Sequence, residues 1–329
     1  MITPGNRPMW TATAALVSCS TPVLGDVSVE ATKLLQDPQQ TEATGATTMA
    51  LDTTKHSLKM PGATIYYEVR GTGPVLLVIP GGPQDAGVFA ELAGHLSGEY
   101  TVVTFDPRGN SRSTIDGMPE DLDVGVLGDD AAAIIAKVGG GPAYVFGTSG
   151  GGQIGLSLAS RHPDVTRTLV AHEPPTMMML DDPAPEVAFV NMLHDTYRKQ
   201  GVDAAMAAFF AVAGFGNEEG AGETYPEPDL TAEAAETFQR VGGNFEYWLA
   251  HGIVPLSTYE PDVAALRDGQ PPIVVAIGED SVGLPIDTMS RALALKLGVE
   301  PTAFPGDHTG FETRPAAFAE ALDRAFKSR

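Results

Sequence analysis

Cysteine is almost absent from this chain: one thiol, Cys19, in 329 residues. Within one chain that excludes both a disulfide framework and a thiolate metal cage. Positive charge is also scarce, with 20 Lys and Arg against 42 Asp and Glu and a net charge of −22. Binding to nucleic acid needs clustered cations to meet the phosphates, so that class of partner is excluded. The acidic residues are scattered rather than blocked, which reads as a solvated surface. No apolar run approaches the length of a membrane span, and no internal repeat is present. What remains, a chain 43% hydrophobic, suits one globular domain with an insertion, or two small domains.

The first 50 or so residues differ from the rest. They are rich in Thr, Ala, Gln and Pro and have no sustained period, so residues 1–55 are expected to form a poorly ordered extension. The expected location is the cytoplasm. An alternative is an exported lipoprotein lipidated at Cys19, since Arg7 precedes an apolar stretch from Met9 to Val17. Thr11 and Thr13 interrupt that stretch and make it a poor signal core.

From residue 56 the pattern becomes regular. Ser57 to Met60, a Pro61-Gly62 turn and Ala63 to Val69 predict a β-hairpin. Apolar strands are expected at 75–79, 100–105, 143–146, 168–172, 273–277 and 301–304. Helices are expected at 88–96, 127–138, 153–160, 289–297 and 316–326. Strands alternating with helices argue for a parallel sheet covered on both faces. The alternation stops between Pro174 and Asp268, where the spacing is helical throughout: 187–199, 202–212, 232–241 and 244–249. Met192, Phe209, Phe210, Phe245 and Trp248 are the expected apolar contacts of these helices with the sheet. The expected division is therefore a core over 56–173 and 271–329, interrupted by a helical cap over 174–270.

Chemistry concentrates at strand ends. Gly147-Thr148-Ser149-Gly150-Gly151 follows the strand Ala143 to Phe146 and precedes a helix. A serine between glycines at that junction sits on a turn too tight for neighbouring side chains, with its hydroxyl at a helix N-terminus. Ser149 is thus the candidate nucleophile, and it needs a base within hydrogen-bond reach and a third group to orient that base. His308, in the loop after the last strand, is the candidate base. Two carboxylates compete for the third place. Glu173 follows the strand 168–172 and lies 24 residues beyond Ser149; Asp280 follows the strand 273–277. Opposite the serine, Pro80-Gly81-Gly82-Pro83 offers the Gly82 N–H, which with that of Gly150 would form an oxyanion hole. His172 is read as a packed or hydrogen-bonded residue, and His251 as a candidate pocket-lining residue. Asp106-Pro107-Arg108-Gly109 is read as a brace for its loop.

These pieces, in this order, resemble the α/β-hydrolase superfamily over about residues 56–329. The resemblance rests on Pro80 to Pro83, Asp106 to Ser113, Gly147 to Gly151 and Gly306-Asp307-His308. It implies an α/β-hydrolase fold with an eight-stranded, mostly parallel sheet, a cap over its carboxyl edge, and a Ser-acid-His triad. The chain looks most like capped bacterial hydrolases of small esters or lactones, acting without metal or cofactor. Proline iminopeptidases commonly read His-Gly-Gly-Pro-Gly where this chain has Pro80 and Gln84, which weakens that alternative. The acidic Glu218, Glu219 and Glu223 are what it would call on to bind an amine. The usual acid position, the fourth residue of Gly-x-x-Asp, falls on Ser281 when laid on Gly278, although a shift of one residue restores Asp280. In some relatives, including certain haloalkane dehalogenases and mycotoxin lactonases, the acid follows the strand after the nucleophile instead. That arrangement favours Glu173 over Asp280. Epoxide hydrolases and dehalogenases of this type use aspartate where this chain has Ser149. A slow or vestigial site in a binding protein is the remaining alternative, because a fold does not fix its function.

Overall fold

The computed structural model describes residues 53–139, 141–213, 231–267 and 271–328. The leader with Cys19, and the loop carrying Glu218, Glu219 and Glu223, lie outside the described residues. Among the described residues no helix is long and apolar enough to cross a membrane.

Strands β1 (Thr54–Met60) and β2 (Ala63–Arg70) form the expected hairpin, with Met60 opposite Ala63 and Gly62 turning the chain at φ 75°. Then come β3 (Val75–Ile79), β4 (Thr101–Phe105), β5 (Thr114–Ile115), β6 (Ala143–Thr148), β7 (Thr166–His172), β8 (Ile273–Gly278) and β9 (Thr302–Phe304). The sheet runs in the order β1-β2-β4-β3-β6-β7-β8-β9. Among the described residues it has nine strands rather than eight, because the two-residue β5 pairs with β2 beside the main path. From β4 to β9 every pairing is parallel.

A strand buried on both faces reads as an unbroken apolar run, and β3 shows why. Leu76 and Val78 enter one core cluster while Leu77 and Ile79 enter the other, on the opposite face. Helices α1 (Ala90–Leu96) and α11 (Pro315–Lys327) cover the first face; α2 (Val124–Val138), α3 (Gly150–Arg161) and α9 (Pro285–Leu297) cover the second. In α11 the stripe is Phe318, Leu322 and Phe326, four residues apart and all buried. Each such side chain stabilises the fold by about 1.5–3 kcal/mol relative to exposure. Pro315 opens this helix at a position where its missing N–H costs nothing.

The chain leaves β3 toward β4 on one side, then returns to β6 on the other. Ligands of open α/β sheets bind at such a switch, outside the carboxyl ends of the two strands. Gly81 and Gly82 follow β3, and Ser149 follows β6.

Between β7 and β8 the described chain is helical: α4 (Ala184–Gln200), α5 (Val202–Ala213), α6 (Ala232–Tyr247), a π turn over Trp248–Gly252, α7 (Ile253–Ser257) and α8 (Val263–Arg267). Two expectations need correction. The segments at 232–241 and 244–249 are not separate helices, because α6 runs through Gly242 and Gly243 into the π turn. Both glycines face open space, so they weaken the helix without breaking it, while Val241, Asn244 and Phe245 are buried and hold it down. Met192 is 42% exposed and does not pack on the sheet; Val190 and Leu193 supply the buried face of α4 instead.

Candidate active site

Ser149 caps α3 with φ 52° and ψ −127°, a backbone conformation that costs a non-glycine residue of order 1–3 kcal/mol. Close packing holds it there. A Cβ on Gly147 would lie 2.3 Å from the Gly151 carbonyl oxygen, and one on Gly151 would lie 2.1 Å from that of Ile79. The turn is therefore wedged between β6, α3 and the end of β3. The Ser149 N–H donates to the His172 carbonyl at 2.9 Å, which ties the turn to the neighbouring strand.

Glu173 ends β7 in the same manner, with φ 44° and its N–H donating to the Ala276 carbonyl at 3.0 Å. Its side chain is fully buried. One carboxylate oxygen accepts the Gly278 N–H at 2.8 Å, and the other lies 2.7 Å from His308 Nδ1. Burial alone would push this carboxyl up. The hydrogen bond from His308 and the neighbouring imidazoles of His172 and His308 outweigh it and hold the pKa at about 2. An ionised carboxylate can only accept, so the His308 nitrogen that faces Glu173, Nδ1, carries a proton.

Both strand-end carboxylates are thus accounted for. Glu173 meets His308, whereas Asp280 lies 2.7 Å from Arg314 Nη2 and is half exposed. His172 is fully buried, with Nδ1 3.1 Å from Thr148 Oγ1, and burial lowers its pKa to about 4, so the ring stays neutral. His251 pairs with Asp121 at 3.3 Å, and it does not line the cavity above Ser149. Asp106 receives Arg112 through both carboxylate oxygens, and Arg108 grips Asp130, the bracing expected of that loop.

Across from Ser149, Gly81 is packed so closely that a Cβ there would lie 2.7 Å from Ser149 Cβ. A Cβ on Gly150 would lie 3.3 Å from Gly82 N, so these two backbone N–H groups are neighbours. Neither donates to a protein acceptor among the described residues. Side chains given no site role from the sequence hold this loop. Gln84 Oε1 accepts the Gly81 N–H at 3.0 Å, Asn110 Nδ2 donates to the Gly82 carbonyl at 3.2 Å, and Asn244 Nδ2 donates to the Pro83 carbonyl at 2.8 Å. The only sequence signal for Asn244 is a polar residue set between apolar Val241 and Phe245 on a helix.

Ser149 and His308 line one cavity, about 480 Å³ with the space it opens onto counted in. Its walls include Phe209, Phe210, Phe245 and Trp248 from the inserted helices and Phe311 from the core.

The family model for the alpha/beta hydrolase fold matches residues 74–296. The chain is an α/β hydrolase. It is 34% identical over 272 residues to the uncharacterized hydrolase YraK of Bacillus subtilis (strain 168), covering 81% of this chain and 93% of that one. A zearalenone hydrolase of Bionectria ochroleuca is 26% identical over 280 residues, covering 81% and 96%. Among solved structures, a hydrolase from Pseudomonas aeruginosa PA01 superposes with a TM-score of 0.64 at 17% identity, covering 84% of this hydrolase and 98% of that chain. A likeness at that identity speaks for the fold alone.

Proposed function

We propose that this hydrolase cleaves a small, neutral carboxylic ester or lactone through an acyl-enzyme on Ser149. The observation that carries the reading is the pairing of His308 with buried, ionised Glu173 beside a serine held on a strained strand-to-helix turn. His308 Nε2 takes the hydroxyl proton of Ser149 as Oγ bonds to the carbonyl carbon. The carbonyl electron pair moves to oxygen, where the Gly82 and Gly150 N–H groups receive it; such a donor typically lowers the barrier by a few kcal/mol. Collapse of the tetrahedral intermediate breaks the bond to the leaving oxygen, which takes the proton from His308. Water then attacks the acyl carbon, gives a proton to His308, and leaves a carboxylic acid as Ser149 regains its hydrogen. Glu173 holds the tautomer and stabilises the imidazolium without itself being protonated. In a lactone both products remain one molecule.

Aromatic cavity walls support an apolar acyl or ring portion. The iminopeptidase alternative draws no support from these walls, and the acidic loop it would call on lies outside the described residues. A fluorophosphonate probe should label the native protein at Ser149, and Ser149→Ala should abolish both labelling and turnover of an ester and lactone panel. Folded protein that resists the probe and turns over no member of that panel would leave a binding protein on this scaffold.

A further inference from the structure

We infer that Asn244, carried by the inserted helix α6, is the positioning residue of the oxyanion loop, so that the insertion fixes where the Gly82 N–H points. The inference rests on the oxyanion hole proposed above. Asn244 is 5% exposed, and its amide is fully engaged. Nδ2 donates to the Pro83 carbonyl and to Ser111 Oγ, both at 2.8 Å, while Oδ1 accepts the Ser111 N–H at 2.7 Å. Turning the amide over would set oxygen against the Pro83 carbonyl, so this network admits one orientation.

The consequence for Gly82 follows from counting backbone groups. Pro83 has no N–H, so the Gly82–Pro83 peptide offers only the Gly82 carbonyl, and Asn110 takes it. Asn244 takes the next carbonyl, and Gln84 takes the preceding N–H of Gly81. These neighbouring groups are anchored, whereas the Gly82 N–H has no protein acceptor among the described residues and is left for the substrate. Gly82 itself sits at φ 50°, where its conformation depends on those anchors.

Two further contacts tie the loop to the same helix. Arg240, one turn before Asn244, places Nε 2.7 Å from Oδ2 of fully buried Asp85. Past the end of α6, the Trp248 indole covers Gly82, with Cε2 and Nε1 each 3.5 Å from where a Cβ would stand. One continuous helical segment therefore grips the loop at 83 and 85 and also presents Phe245 and Trp248 to the cavity. A group bound against those two rings bears on the donor that stabilises the transition state.

The test compares wild type, Asn244→Ala, Asn244→Asp and Ser149→Ala on p-nitrophenyl butyrate, with phenylboronic acid as the tetrahedral mimic. Ser149 Oγ adds to the trigonal boron, its proton passes to His308, and the boronate oxygens fill the oxyanion hole. Asn244→Asp keeps an acceptor for the Ser111 N–H but has no donor for the Pro83 carbonyl. Both Asn244 variants should lose on the order of 10–100-fold in kcat, the range set by a misplaced or missing oxyanion donor. KM should change less than about threefold, and boronate affinity should fall with kcat/KM, neither of which a merely structural clamp would produce. Near-UV circular dichroism reports folding; if the alanine variant does not fold, the aspartate variant carries the comparison. Wild-type kcat in Asn244→Asp, or a loss confined to KM, overturns the inference and leaves the Ser149 reading intact. Full turnover in Ser149→Ala removes both.

Discussion

The two sides of the cavity are held in place by different means. On one side, Ser149 and Glu173 sit at positive φ at the ends of adjacent strands, fixed by sheet hydrogen bonds and by packing too close for any Cβ at Gly147 or Gly151. That half belongs wholly to the core. On the other side, the loop 81–85 hangs on side-chain amides and on an ion pair, and two of its ties, Asn244 and Arg240, come from the insertion. Main-chain strain is paid within the core, whereas the oxyanion loop depends on a segment that could vary without disturbing the sheet. On the proposed mechanism, the nucleophile and one oxyanion donor, Gly150, belong to the core, while the other donor, Gly82, sits on the loop that the insertion holds.

Substitutions can break that contrast, beginning with the core half. Ser149→Ala should lower kcat by on the order of 10⁶, measured on whichever panel ester the wild type turns over fastest. Glu173→Gln should cost on the order of 10⁴, because an amide no longer selects the Nδ1–H tautomer of His308 or stabilises its cation. Retention of more than a tenth of wild-type kcat in that variant would detach the carboxylate from the mechanism.

His172 sharpens the comparison through stability rather than rate. Burial lowers its pKa from 6.5 to about 4, so between those values the unfolded chain binds a proton that the folded chain refuses. Its contribution is whole above pH 6.5 and drains away as pH falls to about 4, a span worth about 3 kcal/mol. His172→Phe should therefore lose less stability than wild type between pH 7 and 4 in parallel denaturant titrations. Equal pH slopes would show that the ring takes up its proton without unfolding. On the oxyanion side, Gln84→Met removes the acceptor of the Gly81 N–H while keeping side-chain length, and should lower kcat about tenfold. Smallest of all is Asp280→Asn, which loses an exposed pair with Arg314 and should leave kcat within about twofold.

How far the site could be read from the sequence follows the same division. The Ser149 turn and the His308 loop were legible because their residue types answer to local geometry, a strand ending in glycines and a loop before a helix. Glu173 and Asp280 could only be ranked. β7 and β8 are neighbours, both carboxylates follow a strand end, and the deciding events are the distant partners Arg314 and Gly278. Gln84 looked like a departure from a peptidase pattern, yet here its side chain anchors the Gly81 amide. Asn244 left one faint signal, a polar residue between apolar Val241 and Phe245, and Arg240 left none. Their partners lie more than 150 residues away in sequence, at Pro83 and Asp85, and Gly242-Gly243 mimicked a helix break at the turn that joins them. The parallel sheet was legible through its alternation, but the two-residue β5 is too short to leave a periodic signal.

One property of β7 bears on how such a site can be lost or moved. Its last residue and the one after it are both ionisable, His172 turned into the aromatic core and Glu173 toward His308. Only the alignment of that strand with its neighbours decides which of the pair His308 encounters. A single-residue insertion upstream in β7 would offer the His172 imidazole where the carboxylate stands and leave Ala171 among the phenyl rings. On the proposed mechanism, the acid is thus specified by sheet registration as much as by the residue itself, and silencing it requires no change to Ser149, Glu173 or His308.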